Sequence, residues 1–285
     1  MLNVRKGGAY VDCTAGTGGH MLHIARLAGP EGKVIGCDLD PEAVELCKRR
    51  LECERANGPI AEFLVRKCSY LNLKELAQEL PQGKADGVLF DFGLSSLQLD
   101  RPDRGFSFRT EAPLDMRFDP TSRALTAEEV VNTFAEKELA DIFFRYGEER
   151  RSRAIARKIV SERQKARIAS TSALRGIVES VVGARSGASA GATRVFQALR
   201  IFVNAELSNV ESVLPMAFEV LKEGGIAVAI TFHSLEDRIV KNYFRALESA
   251  DKAKVLTRKP ITAGESELRR NPRARSAKLR AFRKV

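Results

Sequence analysis

Strand-like and helix-like segments alternate along residues 9–91 of this 285-residue chain. Short apolar runs predict four strands, and segments with a helical period separate the first three of them. Strict alternation of this kind predicts parallel βαβ units, and therefore a doubly wound α/β sheet. The predicted strands are 9–13, 33–38, 63–65 and 85–90, with helices predicted at 20–27 and 41–55.

The alternation then stops, which indicates an insertion into the sheet domain. The later segments are a polar loop at 93–118, a helical region at 126–182, a glycine- and serine-rich linker at 183–191, a long helix at 193–221 and a fifth strand at 226–232. A loop as long as the first of these is usually functional in a compact domain. The predicted division is 1–110 for the first part of the sheet domain, 111–190 for a helical insertion, and 191–285 for the second part with a basic tail.

A glycine-rich loop follows the first strand and opens a helix. Backbone N–H groups at such a helix start approach a polar or anionic ligand without interference from side chains. Asp38 ends the second strand about twenty residues further on, where a carboxylate binds ribose hydroxyls. Together they predict a nucleoside cofactor. The loop reads Asp12-x-Thr14-x-Gly16-x-Gly18-Gly19-His20 and not GxGxxG. This difference favours S-adenosylmethionine over a dinucleotide as the cofactor.

The fourth strand ends in a second polar motif, with Asp91, Ser95 and Ser96 as candidate catalytic residues. The carboxyl end of this strand borders the ligand crevice of an open α/β sheet. Hydrogen-bond acceptors there would orient a target amine and offset the positive charge that develops on it.

Basic residues are gathered into two blocks. Lys and Arg number 47 against 37 Asp and Glu, for a net charge of +10. The segment 252–285 has 12 basic and 2 acidic residues, and 145–167 has 9 and 3. Charge in blocks favours a nucleic-acid partner, although a solvated helix and a loose tail are the plainer alternative.

The cysteine and histidine content predicts neither a disulfide framework nor a metal site. There are five Cys and three His, and no Cys pair has CxxC spacing, which fits a reducing compartment. No apolar run approaches the roughly 18 residues of a membrane span, and the first residues lack the hydrophobic stretch of a secretion signal. These patterns exclude a membrane protein.

Eight blocks in order along the chain resemble the RsmH (also called MraW) family. They are the glycine-loop motif above, Asp38-x-Asp40-Pro41, Asp91-x-Gly93-x-Ser95-Ser96-x-Gln98-Leu99-Asp100, Arg104-Gly105-Phe106-Ser107-Phe108, Pro113-Leu114-Asp115-Met116-Arg117, Phe196-Gln197-Ala198-Leu199-Arg200-Ile201, Phe232-His233-Ser234-Leu235-Glu236-Asp237-Arg238, and Asn271-Pro272-Arg273-x-Arg275-Ser276-Ala277-Lys278-Leu279-Arg280.

The resemblance implies a Rossmann-like class I methyltransferase that uses S-adenosyl-L-methionine to methylate the N4 atom of a cytidine in the decoding region of small-subunit ribosomal RNA. The partner would be that RNA or the assembling small subunit. By the same resemblance Gly18, Gly19 and His20 would contact the methionine end of the cofactor and Asp38 the ribose. The resemblance also implies that Tyr70 would pack on the adenine. Asp91 and Gln98 would line the side of the site that holds the adenine and the transferred methyl group.

Several residues outside the cofactor motifs are candidates for RNA contact. Arg104 and Arg117 on the polar loop would hold phosphates. Phe106 and Phe108 would stack on a flipped base, with packing within the loop as the alternative. His233 follows the fifth strand at the substrate rim, although an N-cap role for Ser234, with Glu236 and Asp237 in the first helical turn, explains much of that block. The remaining candidates are Arg194, Arg273 and Arg275.

Two departures from the family pattern stand out. The chain begins after the position of the family's N-terminal His-x-Pro-Val-Leu segment, which indicates a fragment or a lost piece. Before Arg194 the usual His-Pro-Ala-Thr-Arg is replaced by Gly191-Ala192-Thr193-Arg194, which weakens the expectation of RNA contact at this hinge.

Three other functions remain open from the residues. A catalytically inactive small-subunit assembly factor on the same fold is the main alternative. A nicotinamide-dependent dehydrogenase is disfavoured by the loop spacing, and a methyltransferase for DNA or protein by the blocks outside the cofactor half. The compartment stays open between a bacterial cytoplasm and a mitochondrial or plastid matrix, as does the oligomeric state, with a dimer as one candidate.

Overall fold

The computed structural model describes residues 1–122, 124–183 and 188–285. The chain divides into two compact units, which we call the sheet unit (1–93 and 207–285) and the helical unit (94–206). The sequence predicted divisions after residues 110 and 190 instead. The observed helical unit is larger because Phe106 and Val195, which lie outside the predicted insertion, contribute to its hydrophobic core.

One eight-stranded sheet forms the centre of the sheet unit. Its strands are β1 (Ala9–Asp12), β2 (Lys33–Asp38), β3 (Glu62–Lys67), β4 (Ala85–Asp91), β5 (Leu221–Thr231), β6 (Ala253–Val255), β7 (Ile261–Thr262) and β8 (Lys278–Lys284). The order is β3-β2-β1-β4-β5-β8-β6, with β7 paired to β8. The first five strands pair in parallel, as the sequence predicted, and β8 is antiparallel to β5.

Both faces of this sheet are buried. Successive side chains of a strand point to opposite faces, and Val11 of β1 belongs to one hydrophobic cluster while Tyr10 belongs to another. In β4 the same alternation separates Phe90 from Leu89. A parallel sheet with two apolar faces needs helices on both sides, which explains the alternating pattern at the start of the chain.

Twelve helices accompany the strands in the described part of the chain. They are α1 (Gly19–Ala28), α2 (Pro41–Asn57), α3 (Leu73–Gln78), α4 (Ser96–Asp100), α5 (Ala127–Thr133), α6 (Glu136–Gly147), α7 (Ser152–Arg163), α8 (Thr171–Val182), α9 (Ala188–Val203), α10 (Glu206–Val220), α11 (Ser234–Ser249) and α12 (Glu265–Arg270). The start of α2 matches its prediction: Pro41 is the first helical residue, and the Asp40 side chain accepts from Glu42 N.

The prediction of one helix over 193–221 was wrong. Helix α9 ends at Val203 and α10 begins at Glu206. Between them Ala205 has φ of 50°, a left-handed conformation that interrupts a right-handed helix. No glycine or proline marks the break.

The helical unit has its own apolar core, which buries Leu114, Phe143, Ile155 and Leu199 among others. Its helices α5 to α8 occupy the region predicted to be helical. Part of the predicted linker, residues 184–187, lies outside the described residues.

The basic segment after residue 252 is built into the sheet unit. It forms β6, β7, α12 and β8, and β8 inserts between β5 and β6. Arg280 of β8 is buried, and its Nε lies 2.6 Å from Asp237 Oδ1 of α11. Among the described residues, no helix combines the length and apolar character needed to cross a bilayer.

Candidate active site

The loop between β1 and α1 contains the glycines of the predicted cofactor motif. Gly16 and Gly18 have left-handed φ values of 50° and 86°, which glycine adopts without steric strain. A Cβ atom on Gly18 would lie 2.9 Å from Cys47 Sγ, so α2 packs closely against the loop. Gly19 begins α1, where backbone N–H groups of the first turn have no partner within the helix. These groups form a cradle at the carboxyl end of β1.

Asp38, the last residue of β2, is held by the same loop. Its Oδ2 accepts a hydrogen bond from Gly16 N and its Oδ1 one from Asp40 N, each at 2.9 Å. Burial raises the pKa of Asp38, and these backbone donors oppose the rise. The backbone N–H of Leu39 is a third donor to this carboxylate. The two oxygens together have about four lone pairs, so one remains that can accept from a ribose hydroxyl.

Asp12, His20 and Asp91 lie close together beside this loop, on β1, α1 and β4. His20 Nε2 is 3.4 Å from Asp91 Oδ2, and the backbone N of Asp91 donates to Thr14 Oγ1 at 2.6 Å. Asp12 Oδ2 and Asp91 Oδ1 are buried and have no hydrogen-bond partner among the described residues. Leaving such atoms unpaired is costly, so they fit a ligand that brings N–H or O–H donors, as S-adenosylmethionine and an amine substrate do.

The pKa values of Asp12 and His20 are both raised in this cluster. Burial raises the pKa of Asp12 to about 7, against the lowering effects of His20 and the Thr14 N–H. The hydrogen bond to Asp91 raises the pKa of His20, and its partial burial opposes that rise. With a pKa of about 7, Asp12 can hold or release a proton near neutral pH, and a perturbed pKa of this kind is typical of functional sites.

Tyr70 belongs to an aromatic group next to the ends of β3 and β4. Its ring centroid lies 5.9 Å from that of Phe92 and 6.4 Å from that of Phe90, both in edge-on geometry. Phe90 and Phe92 stack on each other at 5.2 Å. Tyr70 is only partly buried, and its contact with an adenine stays a prediction.

Ser95, Ser96 and Gln98 form the start of α4 in the helical unit. Ser95 Oγ accepts from Gln98 N at 3.2 Å, and Gln98 Oε1 accepts from Ser95 N at 3.1 Å. This capping box satisfies free backbone groups at the helix start. Gln98 is buried. The predicted catalytic and cofactor contacts of these three residues stay predictions.

The predicted phosphate-binding arginines of the polar loop bond to the loop itself. Arg104 is buried, and its Nη2 donates to the carbonyl oxygens of Arg117 at 3.1 Å and Phe118 at 2.8 Å. Arg117 Nη2 lies 2.6 Å from Asp115 Oδ2, and its Nη1 donates to Ser122 O. Both guanidinium groups brace the loop in this structure, and their contact with RNA is untested.

The two phenylalanines of the loop pack within the helical unit. Phe106 is buried and its ring centroid lies 5.9 Å from that of Phe118. Phe108 packs edge-on against Phe196 at 5.1 Å. The packing alternative that the sequence offered describes this arrangement, and base stacking stays a prediction.

The remaining RNA candidates differ in their surroundings. Arg194 pairs with buried Glu149, with Nε 2.7 Å from Oε2. His233 is the N-cap of α11, a position one residue before the predicted Ser234, and its Nδ1 accepts from Glu236 N at 3.4 Å. Arg273 and Arg275 are exposed in a short turn after α12.

Sequence reasoning named neither Asp12 nor Thr14 as a site residue, although both stand in the glycine-loop motif. Asp12 ends a strand whose four residues are all buried, and an acid at the end of such a strand is unusual unless it is paired or functional. The place of Asp12 at the end of a buried strand could therefore have identified it as a site residue. Nothing in the spacing indicates that Thr14 receives the backbone N–H of Asp91, which is 77 residues away.

The structure brings Gly16, Gly18, Gly19, His20, Asp38 and Asp91 to one edge of the sheet. This edge holds the carboxyl ends of β1, β2 and β4, where open α/β sheets bind ligands. The parallel sheet with an antiparallel strand beside β5, together with the glycine cradle and the acids, defines a Rossmann-like class I methyltransferase that uses S-adenosylmethionine.

Comparison with known proteins makes the assignment specific. The chain belongs to the MraW methylase family, whose model matches residues 1–285. It is 50% identical over 286 residues to a ribosomal RNA small subunit methyltransferase H of Acidobacterium capsulatum, covering 99% of this chain and 94% of the relative. Proteins of the same name from Sorangium cellulosum and Dehalococcoides mccartyi are 48% and 42% identical, with 98% and 100% of this chain and 85% and 83% of the relatives covered.

Proposed function

We propose that this protein transfers a methyl group from S-adenosylmethionine to the N4 atom of a cytidine in small-subunit ribosomal RNA, with Asp91 as the acceptor for the target amine. The buried, unpaired Oδ1 of Asp91 carries the proposal, because it stands at the same sheet edge as the glycine cradle and Asp38. The names of the relatives support the ribosomal substrate. They lend no support to an inactive assembly factor.

The chain's own groups bind and orient the cofactor. When bound, S-adenosylmethionine supplies an electrophilic methyl group. The N–H groups at the start of α1 would bind its carboxylate end, and the remaining lone pair of Asp38 would accept from a ribose hydroxyl. The buried Asp12 Oδ2 is available to a further donor at this end of the loop.

Asp91 acts on the nucleophile. The lone pair of a cytosine N4 amine is delocalised into the ring, so the nitrogen is a weak nucleophile. A hydrogen bond from N4–H to Asp91 Oδ1 polarises the amine and holds its nitrogen in line for transfer. The same carboxylate offsets the positive charge that grows on nitrogen in the transition state.

His20 completes the proton path. Bond formation leaves the N4 nitrogen with one proton more than the neutral product carries, and that proton passes to Asp91. His20 Nε2, 3.4 Å from the other oxygen of Asp91, accepts it when the imidazole is neutral and releases it to solvent through its exposed side. The reaction is therefore expected to slow as the pH falls below the raised pKa of His20.

The RNA partner is small-subunit ribosomal RNA, free or in an assembling subunit. The reported relatives come from bacteria, and we assign the reaction to the bacterial cytoplasm.

The direct test is to incubate the protein with S-adenosylmethionine and undermethylated small subunits, and to map methylated cytidines by mass spectrometry. We expect one N4-methylcytidine in the decoding region. Asp91→Asn should lower the rate about 10²–10³-fold while S-adenosylmethionine affinity, measured by calorimetry, changes little.

Asp251→Asn is the matched control, because Asp251 is exposed and at a positive φ that asparagine tolerates. It should keep wild-type activity. Methylation at another atom would refute the proposed reaction, and near wild-type turnover of Asp91→Asn would refute the role of Asp91.

A further inference from the structure

A basic groove lies on the sheet unit, away from the glycine cradle. It is a pocket of about 220 Å³ between α11, the segment that follows β6, and β8. Its cations are Lys241, Arg245, Arg258 and Arg280, and Phe244 and Thr257 also line it. None of these residues is among the candidate residues for cofactor or substrate.

The charge of the groove is only partly neutralised by the protein. Arg280 is paired with Asp237, with Nε–Oδ1 and Nη2–Oδ2 distances of 2.6 and 3.1 Å. Among the described residues that line the groove, Glu248 is the one acid, and its Oε1 accepts from Val255 N at 2.9 Å.

Three cations are left for a ligand. Lys241, Arg245 and Arg258 have no hydrogen-bond or ion-pair partner among the described residues. Lys241 has only a longer-range electrostatic effect on Asp237, whose pKa it lowers. Lys241 and Arg245 are one helical turn apart on α11, so their side chains lie on the same face. Arg245 and Arg258 are exposed.

The groove is connected to the catalytic edge through one rigid helix. Helix α11 begins at Ser234, directly after β5, so it starts at the edge where the glycine cradle lies. Arg269, Arg270 and Arg275 are also exposed on the segment that leads to β8. A chain of phosphates that leaves the catalytic edge along α11 therefore meets further positive charge.

The composition of this surface favours RNA over a protein partner. Interfaces with nucleic acid are polar and strongly positive, whereas the centres of protein interfaces are apolar and depleted of charge. In residues 234–285, the large apolar side chains that are exposed are Ile261 and Val285.

We propose that the α11–β8 groove binds backbone phosphate of the substrate RNA outside the target nucleotide. The inference rests on the proposed function for the identity of the RNA. Lys241, Arg245 and Arg258 supply the charge, and buried Arg280 is held in place by Asp237. Contacts of this kind position RNA without reading its sequence.

The test compares a groove variant, Lys241→Gln/Arg245→Gln/Arg258→Gln, with the wild type. Binding of a labelled small-subunit RNA fragment that contains the target cytidine is measured by fluorescence anisotropy at several salt concentrations. We expect the Kd to rise at least about tenfold, and the slope of log K against log salt to become shallower by about 2, from roughly 0.7 per phosphate contact on single strands. The KM for RNA should rise with little change in kcat.

The matched control is Arg5→Gln/Lys6→Gln/Lys48→Gln. It removes the same formal charge from exposed positions before β1 and on α2, which packs beside β2 and β3 at the other end of the sheet. Its Kd for RNA should stay within about twofold of the wild type, and both variants should bind S-adenosylmethionine normally. Thermal unfolding checks that each variant is folded.

Three results would refute RNA binding by the groove. They are equal weakening of RNA binding in both variants, wild-type RNA affinity in the groove variant, and displacement of RNA by polyglutamate that is as effective as displacement by unlabelled RNA. The last would indicate a surface for acidic protein. The proposed function would fail in a different way. If the wild-type protein binds RNA through the groove but methylates no cytidine, the proposed reaction is refuted while the proposed role of the groove is not.

Discussion

Single acids at the ends of strands determine what the site can do. Asp12, Asp38 and Asp91 are ordinary carboxylates in the sequence, and burial and hydrogen bonding give each a different environment in the fold. The position of Asp38 beside the glycine loop was predictable, because an acid at the end of the second strand follows a general pattern; its contact with a ribose stays a prediction. The Asp12–His20–Asp91 cluster was not predictable, because it depends on the lateral order of β1 and β4, which are separated by 72 residues of chain.

Asp12 should make the stability of the protein depend on pH. Its folded pKa of about 7 exceeds the ordinary value of 3.8, so the folded state binds more protons between these values. The contribution of Asp12 to stability is therefore fully present below about pH 4 and is lost as the pH rises to about 7. We expect Asp12→Asn to lack this fall. Relative to the wild type, its free energy of unfolding should rise by about 3 kcal/mol between pH 5 and pH 8.

Urea denaturation of both proteins across this pH range measures the difference. Glu52→Gln on α2 serves as the control, since Glu52 is exposed, and should follow the wild type at every pH. Parallel curves for Asp12→Asn and the wild type would contradict the prediction.

At the scale of elements, the sequence was most informative where the residues of a segment by themselves indicate a strand or the start of a helix. Apolar runs marked β1, β2 and β4, and Pro41 marked the start of α2. The break between α9 and α10 at Ala205 has no such mark. Strand β8 was missed because Lys278–Lys284 reads as a basic tail, and Arg280 is buried there only because Asp237, 43 residues away, pairs with it.

The glycine loop and α2 should be coupled through Gly18 and Cys47. Gly18→Ala places a Cβ 2.9 Å from Cys47 Sγ at a left-handed φ. We expect a loss of about 2–4 kcal/mol of stability from backbone strain and overpacking together, with weaker cofactor binding. In a Cys47→Ala background the loss should shrink by about 1 kcal/mol, because the clash is relieved while the strain remains.

A double-mutant cycle from denaturant unfolding measures this coupling. Gly176→Ala in α8 is the control: its new Cβ meets no atom within 4 Å, so it should stabilise the protein slightly. Additive effects of the Gly18 and Cys47 substitutions would show that the contact does not limit the loop.

At the scale of the whole molecule, the chain builds two compact units and passes from one to the other at residues 93–94 and 206–207. The sheet unit has one hydrophobic cluster on each face of its sheet, and the helical unit has a third. The sequence predicted an insertion into a sheet domain from the loss of alternation after residue 91. It placed the boundaries elsewhere because the polar loop contains no periodic pattern, while its Phe106 and Leu114 belong to the helical core.

The two compact units should give two cooperative sets of amides in native-state hydrogen exchange. We expect β1, β4 and β5 to open as one set and α6, α7 and α9 as another. S-adenosylmethionine at 100 times its Kd should raise the opening free energy of the first set by about 2.7 kcal/mol. Asp38→Ala, measured at the same concentration, should show a smaller increase. One common opening free energy for all these amides would contradict the expectation.

The position of β8 has a consequence for biosynthesis. This strand fills the gap between β5 and β6, but it is translated after both of them and after every residue of the helical unit. A nascent chain therefore exposes the hydrogen-bonding edge of β5 until residues 278–284 emerge from the ribosome. Open strand edges recruit other chains, so truncation or stalling before this point would favour aggregation, even though the glycine loop and every acid of the site have already been made.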